Sequence, residues 1–339
     1  MRKIIFVCFG FAAMLIAYSL FSFSSKQNDD KSFQNEFNAN YKVFSLNIPK
    51  DINFSGDLVP INNFDVRESL DRELLLNTYF QSQTIMLHKR VNRWFPIIEP
   101  ILKQNGVPAD FKYIALIESN LTNAVSPAGA TGFWQFIEST GKNYGLEIND
   151  EVDERYNVEK STVAACKYFK DAYKQLNTWT LVASSYNLGI GGISRQLNNQ
   201  KVNNYYDLLL NQETARYVFR LLAVKEIISH PQKYGYIIRK KDLYPFIPTY
   251  EVKIDSSVSN FTDFAIANNV NYKMLKLFNP WLRKGTLTNA SHKQYIIKLP
   301  KNGYTDYDKL ESSINNTYSS EDSIRFFHSE KQGKESIPK

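Results

Sequence analysis

The sequence contains little of what metal, redox and disulfide sites require. Among its 339 residues there are two cysteines and four histidines. Cys8 lies in an apolar amino-terminal run and Cys166 lies far away in a helical segment, so we expect no disulfide and a buried thiol at Cys166. The histidines are scattered along the chain, and we therefore expect neither a metal site nor a cofactor.

Strong charge of one sign and internal repeats are also missing. The net charge of +7 is mild for this length. The basic residues form no stripe and no known nucleic-acid-binding module, which predicts no nucleic acid partner. The short cluster from Arg239 to Lys241 is typical of a solvated surface or a linker. A mild positive charge instead suits an anionic surface, such as a membrane or an anionic polymer.

Apolar and aromatic residues are abundant by contrast. Hydrophobic residues make up 43% of the chain, and 21 Tyr and 23 Phe are many for its length. Most of these aromatic side chains should belong to a core, and some could line a groove for a ring-shaped ligand such as a sugar.

The amino terminus predicts export. An apolar run from Ile4 to about Phe23 follows Arg2 and Lys3. About twenty helical residues span roughly 30 Å, the thickness of one hydrocarbon core, and the positive end should stay in the cytoplasm. We expect residues 1–25 to be a retained membrane anchor, with a cleaved signal peptide as the alternative. Both place the protein in the periplasm or cell envelope.

Composition divides the remaining chain into four parts. Residues 26–64 are polar and Asn-rich and predict a tether that could contain one short strand. Residues 65–235 keep a helical period and predict a nearly all-α domain. Residues 249–300 show a β-α-α-β pattern, and the polar residues 301–339 predict disorder.

Within the helical part, prolines and small polar residues mark the predicted helix ends. Pro96 and Pro100 predict a break in the helix that surrounds them. Asp110, Asn157 and Thr178 each precede an apolar periodic segment and are predicted to cap the helix that follows.

One helical segment, residues 110–121, carries the candidate chemistry. Phe111, Ile114, Ala115 and Glu118 fall at i, i+3, i+4 and i+7, so a carboxyl group shares the face that should meet the core. Apolar surroundings and the carboxyl end of a helix both disfavour its charge and raise its pKa. Such a group is suited to protonate a glycosidic oxygen. The alternative is a structural glutamate at the rim of the stripe or paired with an arginine.

Three later segments extend this pattern. After Glu118-Ser119 come, in order, Gly132-Phe133-Trp134-Gln135, Ser185-Tyr186-Asn187, and Glu213-Thr214 with Tyr217. Together, over about residues 85–230, they resemble the four motifs of lytic transglycosylases of the soluble-lytic-transglycosylase type, glycoside hydrolase family 23. Phe133 and Ser185 depart from the usual residues of this family, but neither departure touches a group that the chemistry needs.

The β-α-α-β module separately resembles a LysM domain, through Phe261 to Leu277, Asn279-Pro280 and Ile297 to Pro300. The expected fold is therefore mainly α, with a lysozyme-like helical catalytic domain followed by this small βααβ LysM-like module. The resemblance to lytic transglycosylases implies the helical catalytic domain. It also implies that the protein cleaves peptidoglycan glycan strands between N-acetylmuramic acid and N-acetylglucosamine. In this family a single Glu, here Glu118, protonates the leaving oxygen. The same Glu then takes a proton from the sugar's 6-hydroxyl, which closes a 1,6-anhydro ring without water. Glu138, Asp150 and Asp153 are more typical of helix-end or loop charges than of a second catalytic carboxylate.

Further residues are expected to bind the substrate or position the acid, namely Ser119, Trp134, Gln135, Tyr186, Asn187 and Tyr217. Ser119 would bond the substrate or orient Glu118, and Tyr217 would donate a hydrogen bond to Glu118. Gln135 would hold sugar amide or hydroxyl groups. Trp134 would either stack on a sugar face or belong to the core.

Other interpretations stay open. The LysM-like match lacks the usual Gly between its first strand and helix, so both glycan binding and a purely structural role are expected alternatives for residues 249–300. For the whole chain, the rivals are a lysozyme-like hydrolase that uses water and a non-catalytic peptidoglycan-binding or scaffolding protein. Other cell-wall enzymes are candidate partners.

Overall fold

A computed structural model describes residues 43–238 and 240–301, together with positions 31, 35, 306, 307 and 310. The predicted membrane segment 1–25 and nearly all of the predicted tail 301–339 lie outside the described residues. In the part of the chain that is described, no helix combines the length and the apolar character needed to cross a membrane.

Residues 64–229 form α-helices joined by loops and 3₁₀ turns, and no strand of a sheet lies among them, as the periodicity predicts. The helices are α1 Phe64–Tyr79, α2 Gln81–Gln104, α3 Lys112–Ser119, α4 Glu138–Asn143, α5 Val158–Leu176, α6 Trp179–Leu188, α7 Ile190–Gln200 and α8 Gln212–Ser229. Asn157 caps α5 by accepting a hydrogen bond from the Lys160 amide at 3.0 Å. Thr178 caps α6 by accepting from the Leu181 amide at 3.4 Å. Both predicted caps are thus confirmed.

The predicted break at Pro96 and Pro100 is wrong, because α2 runs through both prolines. Phe95, Ile98 and Leu102 are buried on one side of this helix, and their packing favours its continuation. Pro100 is exposed and Pro96 is half-buried. The carbonyl groups that lose an intrahelical donor belong to Asn92, which is exposed, and to Pro96, so water can satisfy them.

Residues 52–61, which composition assigned to a polar tether, differ from that prediction because they are packed onto the helices. Strands β1 (Asn53–Phe54) and β2 (Asp57–Leu58) form a small antiparallel hairpin. Phe54 is fully buried, and its ring centroid lies 5.3 Å from that of Phe111. The hairpin therefore belongs to the core that supports α3.

The predicted cap at Asp110 is wrong for a related reason. Its carboxylate accepts hydrogen bonds from the Ser55 amide and from the Lys225 ammonium group, each at 2.7 Å. Asp110 lies inside a 3₁₀ turn, Ala109–Phe111, that leads directly into α3. Its side chain thus links the hairpin to α8 instead of capping α3.

The core places α3 at the centre of the helical region. Helix α1 packs along α8, α2 packs against α5, and α3 contacts both α2 and α8. Cys166 is fully buried on α5, as predicted, and burial raises the pKa of its thiol to about 12.

The carboxyl-terminal module has the predicted β-α-α-β order. Its elements are β3 Thr249–Ile254, α9 Phe261–Ala267, α10 Tyr272–Phe278 and β4 Tyr295–Pro300. The strands pair antiparallel, with Thr249 opposite Pro300 and Ile254 opposite Tyr295. The helical region and the module belong to the same compact unit.

Candidate active site

Glu118 lies in the last turn of α3, beside a buried apolar face. Phe111, Ile114 and Ala115 are fully buried, whereas Glu118 is half-buried. The chain then turns sharply, because Asn120 and the bulky Leu121 both adopt φ of 54°. Such backbone strain persists only where the surroundings enforce it, and it is common beside functional sites.

One direct hydrogen bond holds the Glu118 carboxyl. The Tyr217 hydroxyl donates to Glu118 Oε1 at 2.6 Å, and the Tyr217 side chain is itself buried on α8. Burial raises the pKa of Tyr217 far above its ordinary value, and the Glu118 charge raises it further. Tyr217 therefore stays neutral and serves as a permanent donor to the carboxyl.

The pKa of the Glu118 carboxyl is raised above its ordinary value. Burial is the largest cause, because it disfavours the charged form. The hydrogen bond from Tyr217 and the positive charge of Arg220 lower the pKa, and the negative charge of Glu213 raises it. Burial outweighs the two opposing effects, so the net shift has the direction that the sequence predicts.

The loop between α3 and α4 folds back against the end of α3. Gly132 has φ of +80°, and a Cβ atom there would lie 2.0 Å from the Arg155 carbonyl oxygen, so only glycine fits. Gln135, with φ of 49°, donates from Nε2 to the carbonyl oxygens of Ala124 at 3.0 Å and Gly132 at 2.8 Å. Both amide protons are therefore used within the loop, which leaves the side-chain oxygen as the group available to a ligand.

Two predicted substrate-binding residues are buried instead. Trp134 is fully buried and donates from Nε1 to Thr162 Oγ1 at 2.9 Å, so the core interpretation is correct and it has no face for a sugar. Ser119 is 3% exposed, and its hydroxyl lies 2.9 Å from the Phe133 carbonyl oxygen and 3.1 Å from that of Ala115. Ser119 thus ties the end of α3 to the loop and does not face a ligand.

Tyr186 and Asn187 approach the acid from the end of α6. The Tyr186 hydroxyl donates to the Trp134 carbonyl oxygen at 2.6 Å, and the charge of Glu118 contributes to the raised pKa of Tyr186. Asn187 accepts from Thr214 Oγ1 at 2.7 Å and donates to Glu213 at 3.3 Å. Tyr186 is therefore held beside Glu118, and Asn187 is held at the start of α8.

The carboxylates singled out from the sequence do not join Glu118. Glu138 pairs with Lys142 on the surface, Asp150 is exposed, and Asp153 is buried in an ion pair with Arg155. Glu213 is the second carboxylate whose charge acts on Glu118. Its position in the fourth motif, four residues before Tyr217, was the signal that could have identified it.

Arg220 is a further neighbour that sequence reasoning missed. It follows Tyr217 by three residues on α8, which places it on the same helix face. Its guanidinium carbon lies 5.7 Å from the centroid of the Tyr217 ring, and its Nε is buried without a hydrogen-bond partner. Within residues 43–238 and 240–301, no group of three His, Cys, Asp or Glu side chains could hold a metal ion.

Comparison with known proteins adds two family matches. Residues 95–209 match the model of the Transglycosylase SLT domain, and residues 250–303 match that of the Soluble lytic transglycosylase C-terminal LysM-like domain. The first match includes Glu118, Gln135 and Tyr186.

Curated relatives and a solved structure are also similar. The chain is 28% identical over 270 residues to Membrane-bound lytic murein transglycosylase D of Escherichia coli strain K12, and equally so to the same protein of strain O6:H1. The alignment covers 77% of this chain and 57% of each relative, so the chain spans little more than half their length. An X-ray structure of an inactive variant of lytic transglycosylase Slt from Pseudomonas aeruginosa aligns with 18% identity and a TM-score of 0.35, over 44% of this chain and 26% of that one. The chain is thus similar to the Transglycosylase SLT domain over residues 95–209 and to the Soluble lytic transglycosylase C-terminal LysM-like domain over residues 250–303.

Proposed function

We propose that the protein is a peptidoglycan lytic transglycosylase with Glu118 as its single catalytic acid and base. It cleaves the β-1,4 bond between N-acetylmuramic acid and N-acetylglucosamine and leaves a 1,6-anhydro end. The observation that carries the proposal is the half-buried carboxyl of Glu118, with a raised pKa and one oxygen held by Tyr217.

This hydrogen bond distinguishes the two oxygens of the carboxyl. Oε1 accepts from Tyr217 at 2.6 Å. The acidic proton of the neutral carboxyl therefore belongs on Oε2, which is free to meet the leaving oxygen of the substrate. After the proton has moved, the carboxylate is ready to take one from the 6-hydroxyl, whose oxygen closes the anhydro ring.

Neighbouring groups support substrate binding in this proposal. The free side-chain oxygen of Gln135 accepts from a sugar amide or hydroxyl group. Tyr186 and Asn187 brace the acid and the N-acetyl group of the N-acetylmuramic acid. This N-acetyl group stabilises the positive charge that forms on the sugar as Glu118 releases its proton. Ser119 acts by holding α3 to the loop at Phe133.

The proposed organisation follows from the same assignment. Residues 65–235, extended at the amino side by the buried hairpin, form the catalytic domain, and residues 249–300 form the LysM-like module. The protein works on peptidoglycan strands in the cell envelope and is held at the membrane through residues 1–25. Other cell-wall enzymes of the envelope are candidate partners.

The test is digestion of purified peptidoglycan by the wild type, Glu118→Gln and a matched control, Glu138→Gln. Glutamine keeps the size of Glu118 and can accept from Tyr217, but it has no acidic proton. We expect Glu118→Gln to release no soluble fragments, while the exposed-site control releases them at the wild-type rate. Release by Glu118→Gln at a rate near that of the wild type would refute the assignment.

One observation favours a hydrolytic alternative. Glu213 is a second carboxylate that acts electrostatically on Glu118, and paired carboxylates serve most glycosidases. Mass spectrometry of the products separates the two reactions, because a hydrolysed end is heavier by one water than an anhydro end. We expect anhydro ends from the wild type and from Glu213→Gln.

A further inference from the structure

The carboxyl-terminal module shares a hydrophobic core with the catalytic region. Val152 and Tyr156, which precede α5, are buried in a cluster with module residues, among them Phe261, Leu275, Trp281, Leu282, Leu287, Tyr295 and Ile297. Arg283 also lies over the Tyr156 ring, 4.1 Å from its centroid. The module is therefore packed against residues 152–156 through apolar side chains, as one part of a domain packs against another.

Backbone hydrogen bonds join the same segment to the module. The Asp153 amide donates to the Trp281 carbonyl oxygen at 2.9 Å, and the Arg283 amide donates to that of Glu151 at 2.7 Å. Val152 and Leu282 thereby form an antiparallel bridge. These bonds fix the path of the chain at residues 151–153.

Charged groups surround this contact. The Glu151 carboxylate accepts from the Thr288 amide at 2.8 Å. Glu147 pairs with Lys293 and accepts from the Tyr295 hydroxyl at 3.0 Å. The segment is thus held to the module on both its apolar and its polar sides.

The next residues of the segment hold the loop beside the proposed acid. Asp153 accepts from Arg155 Nε at 2.9 Å and Nη2 at 2.7 Å. This pairing aims Nη1 at the carbonyl oxygens of Gly129 at 3.1 Å and Phe136 at 3.2 Å. One guanidinium group therefore closes both ends of the loop 129–136.

The loop in turn contacts the residues around Glu118. Its Phe133 carbonyl oxygen accepts from Ser119, which follows Glu118 in α3, and its Trp134 carbonyl oxygen accepts from Tyr186. A continuous set of packed and hydrogen-bonded groups thus leads from the module to the acid.

We propose that the LysM-like module braces the active site, and that Arg155 is the positioning residue through which residues 151–156 hold the loop 129–136 beside Glu118. The proposal rests on the function proposed above. It predicts that the module acts on the catalytic step and not on the capture of glycan strands. It therefore chooses the structural role over the glycan-binding role for residues 249–300.

The test uses full-length variants and kinetics on soluble glycan strands. Arg155→Gln removes the two bonds to the loop, and Leu282→Ala loosens the contact from the module side, with Val152→Ala as a milder change at the same place. We expect kcat to fall by about 10- to 100-fold for Arg155→Gln, because small displacements of catalytic groups have effects of that size. KM and retention on insoluble peptidoglycan should stay within about twofold. Asp171→Asn, on the exposed face of α5, is the control and should leave both constants unchanged.

Two further measurements make the proposal falsifiable. If Leu282 acts through Arg155, the double variant should fall no further in kcat than Arg155→Gln alone. The Thr131 amide donates to the Phe136 carbonyl oxygen at 3.0 Å, and the Gly132 amide donates to that of Ala124 at 2.9 Å. Hydrogen exchange of these two amides should be faster in Arg155→Gln and in Leu282→Ala than in the wild type, whether or not the protein cleaves peptidoglycan.

The outcomes separate failure of this proposal from failure of the proposed function. If less of the Leu282→Ala protein is retained on insoluble peptidoglycan while its kcat is unchanged, the bracing role is refuted and the module is assigned to glycan binding. Unchanged exchange in the loop of Arg155→Gln would overturn it as well. Cleavage by Glu118→Gln at the wild-type rate would instead remove the proposed function, and the exchange measurement would still decide whether the module braces the loop.

Discussion

Replacing Tyr217 by Phe isolates the contribution of the single hydrogen bond to Glu118. The buried ring remains, and only the hydroxyl that donates to Glu118 Oε1 at 2.6 Å is lost. The carboxyl is neutral before proton transfer and charged after it. The bond therefore strengthens as the reaction proceeds, and its loss affects the transition state more than the ground state.

The magnitude follows from the two states of the acceptor. A hydrogen bond to a neutral acceptor contributes about 0.5–1.5 kcal/mol, and one to a charged acceptor about 1.5–3 kcal/mol. The difference of about 1–1.5 kcal/mol corresponds to a fall in kcat of about five- to thirteenfold. KM should change little, since Tyr217 is buried and has no face toward a ligand.

The same substitution should move the pH–rate profile. The bond lowers the pKa of Glu118 against the larger effect of burial. Its removal raises that pKa, so Glu118 keeps its proton to higher pH. The limb on which activity falls as Glu118 ionises should therefore shift to higher pH.

Initial rates on soluble glycan strands over a pH series would measure both effects. Tyr113→Phe is the matched control, because Tyr113 is a buried tyrosine of α3 that bonds Ser229 at 3.2 Å, away from Glu118. The reasoning fails if Tyr217→Phe keeps the wild-type kcat and profile, or if the limb moves to lower pH.

Three further predictions concern stability and binding. Gly132→Ala should lower the free energy of unfolding by about 2 kcal/mol or more, because the alanine Cβ would lie 2.0 Å from the Arg155 carbonyl oxygen. Denaturant unfolding measures this, and an unchanged free energy would contradict the contact. Trp134→Phe should cost about 1–3 kcal/mol through lost packing and the lost bond to Thr162, with glycan retention unchanged, whereas a sugar-stacking role would lower retention. Glu118→Gln should become more stable than the wild type as pH rises. The folded pKa of Glu118 lies above its unfolded value, so ionisation penalises the native wild type from the ordinary carboxyl pKa of 4.5 upward, and equal pH dependence of the two unfolding free energies would contradict this.

Local pattern was enough to predict most of the secondary structure. Helix α5 begins where Asn157 caps it, and α6 begins where Thr178 does, since a cap depends on an amide only three residues away. The failures at Pro96 and Asp110 have the opposite origin. The buried face of α2 packs against α5, and Asp110 bonds Ser55 and Lys225. These partners are distant in sequence, and no local rule includes them.

Motif residues were predicted better than the directions of their side chains. The bond between Tyr217 and Glu118 joins residues 99 apart and was expected from the family resemblance. The inward direction of Ser119 and Trp134 was not, because it depends on how the loop closes after the strained turn that follows α3.

By itself, the sequence determined the helices, the β-α-α-β module and the presence of a carboxyl group on an apolar helix face, because each depends on residues within a few positions of one another. Only the tertiary structure decided which motif side chains are buried, that the hairpin supports α3, and that the module contacts residues 151–156. These contacts join residues from 14 positions apart, for Ser119 and Phe133, to more than 100 apart, for Asp153 and Trp281. They form where buried area, charge and hydrogen-bond geometry agree in three dimensions.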